Sequence, residues 1–153
     1  MNGLANSFLV FKEKRQLLYP LRKTAYACVY EVVRDVFENG TMLQGTMSTP
    51  QLETPEGSIN AVSARAVTRN RETAVLAVNL TDRPCRFILK LDGKIHDQSL
   101  VHEAMVFGDP AEVVVLGFDD APLKPVQNER GMVTLPPLSV NRISGVEQIS
   151  QKR

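Results

Sequence analysis

The sequence predicts a mainly β protein, an antiparallel, jelly-roll-like β-sandwich preceded by one amphipathic α-helix. Three observations support it. Apolar residues recur with helical spacing between 26 and 37, they alternate with a period of two from residue 61 onward, and turn residues interrupt the alternating segments at short intervals. A run of short strands with one polar face each favours a sandwich over a barrel or a parallel sheet.

Composition bounds the reading. A chain of 153 residues holds one domain of ordinary size with a short appendage, but not two domains. Hydrophobic residues make up 43% and charged residues 23%, a globular rather than disordered profile. The 18 Lys and Arg nearly cancel 17 Asp and Glu, which disfavours nucleic acid as a partner, since that requires a basic excess on one face. No apolar run reaches the roughly 18 residues of a membrane span. The opening Met1-Asn2-Gly3-Leu4 has no leading positive charge; Lys12, Lys14 and Arg15 come after the apolar residues, so a secretion signal is not expected. Cys28 and Cys85 fall on different elements without a C-x-x-C, and they are expected as free, buried thiols in a cytoplasmic setting.

Phe8-Leu9-Val10-Phe11 reads as a short strand or extended segment before the polar turn Lys12-Glu13-Lys14-Arg15. Pro20 biases Tyr19 away from helix, and Thr24 is placed to cap a helix beginning at Ala25. From Ala25, the residues Tyr26, Val29, Tyr30, Val33 and Phe37 fall on one helical face, widened by Cys28, Val32 and Val36. Asn39-Gly40 tolerates positive φ and ends the helix. A stripe that wide must be covered, either by the sandwich or by another body. Each such side chain is worth roughly 1.5–3 kcal/mol when buried.

Residues 41–59 are rich in Thr, Ser, Pro and Gly and read as a surface linker. Strands are then expected over Ala61–Val67 and over Thr73–Leu80, the latter with Ala74, Leu76, Val78 and Leu80 on one face. In Cys85–Leu91, Cys85, Phe87, Leu89 and Leu91 point inward while Arg86 and Lys90 point out, and Asp92-Gly93 is a turn signal. Further strands are expected over Ser99–Phe107, Ala111–Leu116, Met132–Leu135 and Leu138–Ile143, with a long loop over Phe118–Arg130. The divisions are thus 1–40 strand and helix, 41–59 linker, 60–147 sandwich and 148–153 polar tail.

Four of these segments carry a resemblance. Val62-Ser63-Ala64-Arg65-Ala66, Val75-Leu76-Ala77-Val78-Asn79, Phe87-Ile88-Leu89-Lys90-Leu91-Asp92-Gly93 and Thr134-Leu135-Pro136-Pro137-Leu138-Ser139-Val140 together resemble the C-terminal domain of α-L-arabinofuranosidases of glycoside hydrolase family 51. That domain is a jelly-roll sandwich following a TIM barrel, and residues 17–40 resemble the last barrel helix. The loop Leu116-Gly117-Phe118-Asp119-Asp120-Ala121-Pro122 departs from the Asn-containing stretch usual in the family. The resemblance implies that the two catalytic glutamates, an acid/base and a nucleophile, lie on barrel strands earlier in a longer sequence. No residue here matches either, so no catalytic residue is assigned.

A few side chains have the chemistry of a site. His96 and His102 are the only histidines and are expected at a surface or edge; two ligands do not make a four-coordinate structural zinc site, so no metal is expected. Asp119-Asp120 has the oxygen chemistry of a calcium loop but reads as a pair of solvated acids. Glu103, Glu112 and Asp109 are the candidates for a carboxylate pair, which retaining glycoside hydrolysis needs about 5–5.5 Å apart. Asn39-Gly40-Thr41 and Asn79-Leu80-Thr81 fit the glycosylation pattern and are read as chance matches. No nucleotide-binding or nucleophile-elbow motif occurs, and no cofactor is expected.

The expected function is a non-catalytic C-terminal accessory domain of an α-L-arabinofuranosidase-like glycoside hydrolase. The alternatives are a carbohydrate-binding sandwich and an assembly module. The expected partner is a TIM-barrel portion, or another copy of the chain, contacted through Tyr26, Val29, Val33 and Phe37. Oligomers are expected if that stripe is exposed.

Overall fold

A computed structural model describes residues 8–9, 22–70, 72–91, 93–96, 100–107, 115–116 and 123–147. It contains one helix, α1 (Ala25–Phe37), and fifteen strands among the described residues. They are β1 (Phe8–Leu9), β2 (Arg22–Thr24), β3 (Thr41–Leu43), β4 (Gln51–Thr54), β5 (Gly57–Asn60), β6 (Val62–Arg69), β7 (Glu72–Asn79), β8 (Cys85–Phe87), β9 (Lys90–Leu91), β10 (Lys94–Ile95), β11 (Val101–Val106), β12 (Val115–Leu116), β13 (Lys124–Pro125), β14 (Val133–Leu135) and β15 (Ser139–Glu147).

The helix starts directly after Thr24 and stops where Asn39 takes φ 58°. Asn39 and Gly40 divide the work of stopping it. Asn39 adopts the left-handed conformation, whereas Gly40 allows a close approach: a Cβ there would lie 2.8 Å from Val67 Cγ1. The glycine lets the chain turn from α1 into β3 against the sheet.

The main sheet has the order β13-β11-β15-β7-β6-β3, with every neighbouring pair antiparallel. Its long central strands register Val62 on Asn79 and Ala64 on Ala77, and Ser139 on Asn79 and Asn141 on Ala77. A register shift between Ile143 and Val146 accommodates Gly145 at φ 87°, the conformation a glycine bulge uses.

Because alternate residues face opposite sides, the register defines two cores. On one side Val62, Val75, Ala77 and Ile143 meet Val133 and Leu135 of β14, with Cys85 and Phe87 of β8 packed alongside. The β8–β14 pair is therefore the second layer of an antiparallel β-sandwich. On the other side Val67, Leu76 and Val140 meet Val32 and Val36 of the helix.

The cover for the helical stripe is thus the sandwich's own sheet. Val29, Val33 and Phe37, expected as a contact surface for a missing body, pack partly buried against that cluster, while Tyr30 stays 50% exposed. The side chain of Tyr26 lies outside the described residues.

Several expectations change. Residues 41–59 hold the edge strand β3 and the β4–β5 hairpin rather than a plain linker, because Thr54-Pro55-Glu56-Gly57 closes a two-residue hairpin loop. β7 buries both faces, with Val75, Ala77 and Asn79 as fully enclosed as Leu76, and Leu80 is 45% exposed rather than inward. The expected Cys85–Leu91 strand breaks after Phe87, and Lys90–Leu91 pairs instead with Lys94–Ile95 across Asp92-Gly93, where Gly93 has φ 78°. Within the expected 118–130 loop, Lys124–Pro125 forms an edge strand on β11. Most of the expected Ala111–Leu116 strand and the 148–153 tail lie outside the described residues. No helix of the described residues is long and apolar enough to cross a membrane.

Candidate functional site

Most of the polar residues that the strands place on the inner face form one connected cluster; Thr73, also enclosed on β7, stands outside it. Strand β11 carries His102 opposite Ile143 of β15, and Asn141, two residues earlier on β15, reaches its ring. His102 Nε2 lies 3.0 Å from Asn141 Oδ1, and Nδ1 lies 3.1 Å from Asn128 Oδ1. The Asn141 amide nitrogen donates to the Ala77 carbonyl at 3.2 Å and to Ser139 Oγ at 2.8 Å. Ser139 Oγ donates onward to the Pro136 carbonyl at 2.6 Å. Asn128 Oδ1 also accepts from the Thr134 amide at 3.1 Å.

Asn79 completes the cluster at the strand end. Its Nδ2 donates to the carbonyls of Arg83 at 2.8 Å and Pro136 at 2.7 Å, and its Oδ1 accepts from the Thr81 amide at 3.0 Å and the Thr81 hydroxyl at 2.8 Å. One side chain thus ties the β7–β8 turn to the β14–β15 connection. In that connection Leu138 sits at φ 43°, an uncommon conformation for a bulky residue, held by Leu138 N to Thr81 O and Phe107 N to Leu138 O, each 2.8 Å.

This cluster is built for structure. His102, Asn79, Asn141 and Ser139 are each no more than 2% exposed, and their polar atoms are turned on one another. Burying such groups costs a desolvation penalty that hydrogen bonds offset for Asn79, Asn141 and Ser139, whereas the enclosed Asn128 Nδ2 has no partner among the described residues. Asn79, which opens the triplet Asn79-Leu80-Thr81, is enclosed, so its fit to the glycosylation pattern carries no acceptor function, whereas Asn39 is exposed.

The two histidines are not surface residues, contrary to expectation. His102 is enclosed by the sandwich layers, and His96, 8% exposed, follows β10 with its backbone amide bonded to the Leu89 carbonyl at 2.9 Å. They lie on separate elements, because the chain leaves the β9–β10 hairpin before it enters β11. Among the described residues no group of three or more His, Cys, Asp or Glu is disposed to hold a metal ion.

Glu103 is the one candidate carboxylate within the described residues. Its Oε2 accepts from Arg142 Nη2 at 2.6 Å and Nε at 3.0 Å, across the β11–β15 register, on the face of the sheet opposite His102. A fork-like arginine contact commits the carboxylate to charge pairing. Asp109, Glu112, Asp119 and Asp120 lie outside the described residues. Two clefts among the described residues are mainly apolar: one of about 250 Å³ is lined by Val78, Asn79, Leu80, Phe107, Leu138, Ser139 and Val140, and a wider one by Ile88, Ile95, Arg130, Gly131 and Met132. Neither is lined by a carboxylate.

No protein-family model matches the sequence, and no curated protein matches it. Solved structures do resemble the fold. One is the family 51 arabinofuranosidase from Xanthomonas axonopodis pv. citri, with a TM-score of 0.59 and 16% identity over 82% of this chain and 27% of that one. Another is a family 51 α-L-arabinofuranosidase from Bifidobacterium longum, with a TM-score of 0.58 and 19% identity over 82% of this chain and 25% of that one. The chain spans about a quarter of the length of either enzyme. At these identities the likeness is one of architecture: this chain has the fold of a part of the family 51 arabinofuranosidases.

Proposed function

We propose that the chain is a non-catalytic accessory domain of an α-L-arabinofuranosidase-like glycoside hydrolase, corresponding to the sandwich that follows the barrel. The observation that carries this reading is the coverage: 82% of this chain aligns with about a quarter of each of two such enzymes. Two features of the geometry support it: His102, Asn141, Ser139 and Asn79 are engaged in hydrogen bonds within the sandwich, and Glu103 is paired with Arg142. In this reading the parent enzyme releases terminal arabinofuranosyl residues with glutamates outside this chain, and the domain supports the barrel's folding and subunit contacts. The proposed compartment is the cytoplasm, in keeping with the absence of a disulfide between Cys28 and Cys85 among the described residues.

A carbohydrate-binding role needs an aromatic platform. Among the exposed large hydrophobic residues described, Tyr30 is the lone aromatic, which favours the accessory reading. The deciding experiment is hydrolysis of a chromogenic α-L-arabinofuranoside by the chain alone and with a separately expressed barrel portion. Turnover only in the mixture is the expected result. Turnover by the chain alone would locate a carboxylate pair in it, and inactivity in both would return weight to the binding and assembly roles.

A further inference from the structure

His102 sits within the inner-face cluster with an amide oxygen against each ring nitrogen. Asn141 Oδ1 lies 3.0 Å from Nε2, and Asn128 Oδ1 lies 3.1 Å from Nδ1. A third partner fixes each orientation. Asn141 Nδ2 is directed at the Ala77 carbonyl and at Ser139 Oγ, so a reversed Asn141 would set an oxygen against that carbonyl. Asn128 Oδ1 accepts the Thr134 amide at 3.1 Å, so a reversed Asn128 would set its NH2 group against that N–H. Two acceptors require two protons, and an imidazole carries two only as the cation.

A neutral ring fits this pocket less well. It has one N–H, so one of its nitrogens turns a lone pair on an amide oxygen. The conflict falls on the less firmly held asparagine. Asn141 is fully enclosed and has two bonds besides the ring, whereas Asn128 is held among the described residues by the Thr134 amide, and its enclosed Nδ2 has no partner. We propose that the proton on His102 Nδ1 works a two-state switch. With the proton, one oxygen of Asn128 accepts from the ring and from the Thr134 amide together. Without it, the Asn128 amide reverses, donates from Nδ2 to Nδ1 and releases Thr134. The Nε2–H bond to Asn141 persists in both states.

The switch links the core to one stretch of surface. Thr134 opposes Arg86 in the β8–β14 register, and its N–H, bonded to Asn128, points away from β8, so Asn128 covers the outer edge of β14 there. Between Asn128 and Thr134 the chain makes a tight turn, with Met132 N donating to Glu129 O at 3.0 Å and Gly131 at φ 72°. Arg130, Gly131 and Met132 of that turn line the wider cleft beside Ile88 and Ile95, so releasing Thr134 frees one anchor of the cleft wall. The other titratable and charged groups nearby are engaged or turned outward. Glu103 and Arg142 pair on the opposite face of the sheet, Cys85 of β8 contacts Thr81 and Asn79, and His96 ends a separate hairpin. Lys124 of β13, Arg86 of β8, and Glu129 and Arg130 of the turn are exposed.

Nuclear magnetic resonance of the nitrogen-labelled whole chain, across the pH range in which it stays folded, tests this; His96→Gln separates the two histidine signals. The expected result is a ring protonated on both nitrogens at the acid end and on Nε2 alone at the alkaline end, with the Thr134 amide following the same midpoint. Hydrogen exchange of that amide, corrected for its intrinsic pH dependence, is expected to rise roughly tenfold as the Nδ1 proton leaves, the effect of one lost hydrogen bond. Asn128→Asp offers acceptors to the ring and to Thr134 at once. Above the titration of its own carboxylate, it is expected to keep the Thr134 amide protected throughout. A wild-type Thr134 amide that ignores the ring's titration, or an Asn128→Asp variant whose Thr134 amide still follows it, would overturn the proposal. So would a neutral ring protonated at Nδ1, which would move the change to Asn141, or a ring that holds one protonation state across the folded range.

Discussion

His102 Nε2 and Asn141 Oδ1 meet at 3.0 Å across β11 and β15, enclosed between the two layers of the sandwich. Since the Asn141 amide nitrogen is engaged by Ala77 and Ser139, its oxygen faces the ring and the bond requires a proton on Nε2; a neutral ring then has no proton for Nδ1, which faces Asn128 Oδ1 at 3.1 Å. Replacing Asn141 by Ala strands the enclosed ring nitrogen and removes the side-chain bonds to the Ala77 carbonyl and to Ser139, whose hydroxyl keeps its bond to the Pro136 carbonyl. The expected loss is about 2–3 kcal/mol by urea denaturation. A double-mutant cycle with His102→Phe is expected to show a coupling of about 1–2 kcal/mol; strict additivity would show that the pair is not a unit.

Asn79→Ala should lower the denaturation midpoint by the equivalent of about 1–3 kcal/mol, because the side chain bridges Arg83, Pro136 and Thr81 at once. Asn79→Asp should cost at least as much. The carboxylate keeps the Thr81 contacts but places an acceptor against the carbonyls of Arg83 and Pro136. An unchanged midpoint in Asn79→Asp would argue against the bridging geometry.

Gly40→Ala is expected to destabilise by about 1–3 kcal/mol, since the new methyl would meet Val67 Cγ1 at 2.8 Å. Gly40→Ala combined with Val67→Ala should recover part of that loss relative to the sum of the single changes. Thermal unfolding of the four proteins measures it.

Glu103→Gln separates structure from chemistry. The ion pair with Arg142 is a quarter to a third exposed, so its loss is expected to cost about 1 kcal/mol. Arabinofuranosidase activity of the chain mixed with a barrel portion should be unchanged at saturating protein. A fall in turnover of tenfold or more, with folding intact, would place Glu103 in catalysis instead.

Val32→Ala and Val36→Ala test the helix's seat on the sheet. Each is expected to lose about 1–2 kcal/mol, because both side chains are enclosed against Val67, Leu76 and Val140. Loss of helical signal without loss of sheet signal at lower denaturant would show that the helix docks as a separate unit.

Local pattern made much of this legible. The spacing of Val29, Val32, Val33, Val36 and Phe37 specified a helix, Asn39-Gly40 specified its end, and alternation specified β6 and β7 to within a residue or two at each end. Periodicity reports which residues are apolar, but not how many neighbours cover a strand. Ala74, Leu76 and Val78 therefore looked like the inner face of β7, when Val75, Ala77 and Asn79 on the opposite side are at least as enclosed. The Pro-Glu-Gly turn within 41–59 was visible, yet polar flanks disguised the hairpin around it.

The helix, the alternating strands and most of the turns between them were encoded locally, because they depend on φ preferences and on side chains a few residues apart. Long-range packing set the rest: the sandwich covers its own helix, both histidines are buried, and Asn79, Asn128, Asn141 and His102 join one cluster. Those contacts link residues such as Asn79 and Pro136, 57 positions apart, and nothing in the local pattern of either residue encodes the sheet order that brings them together.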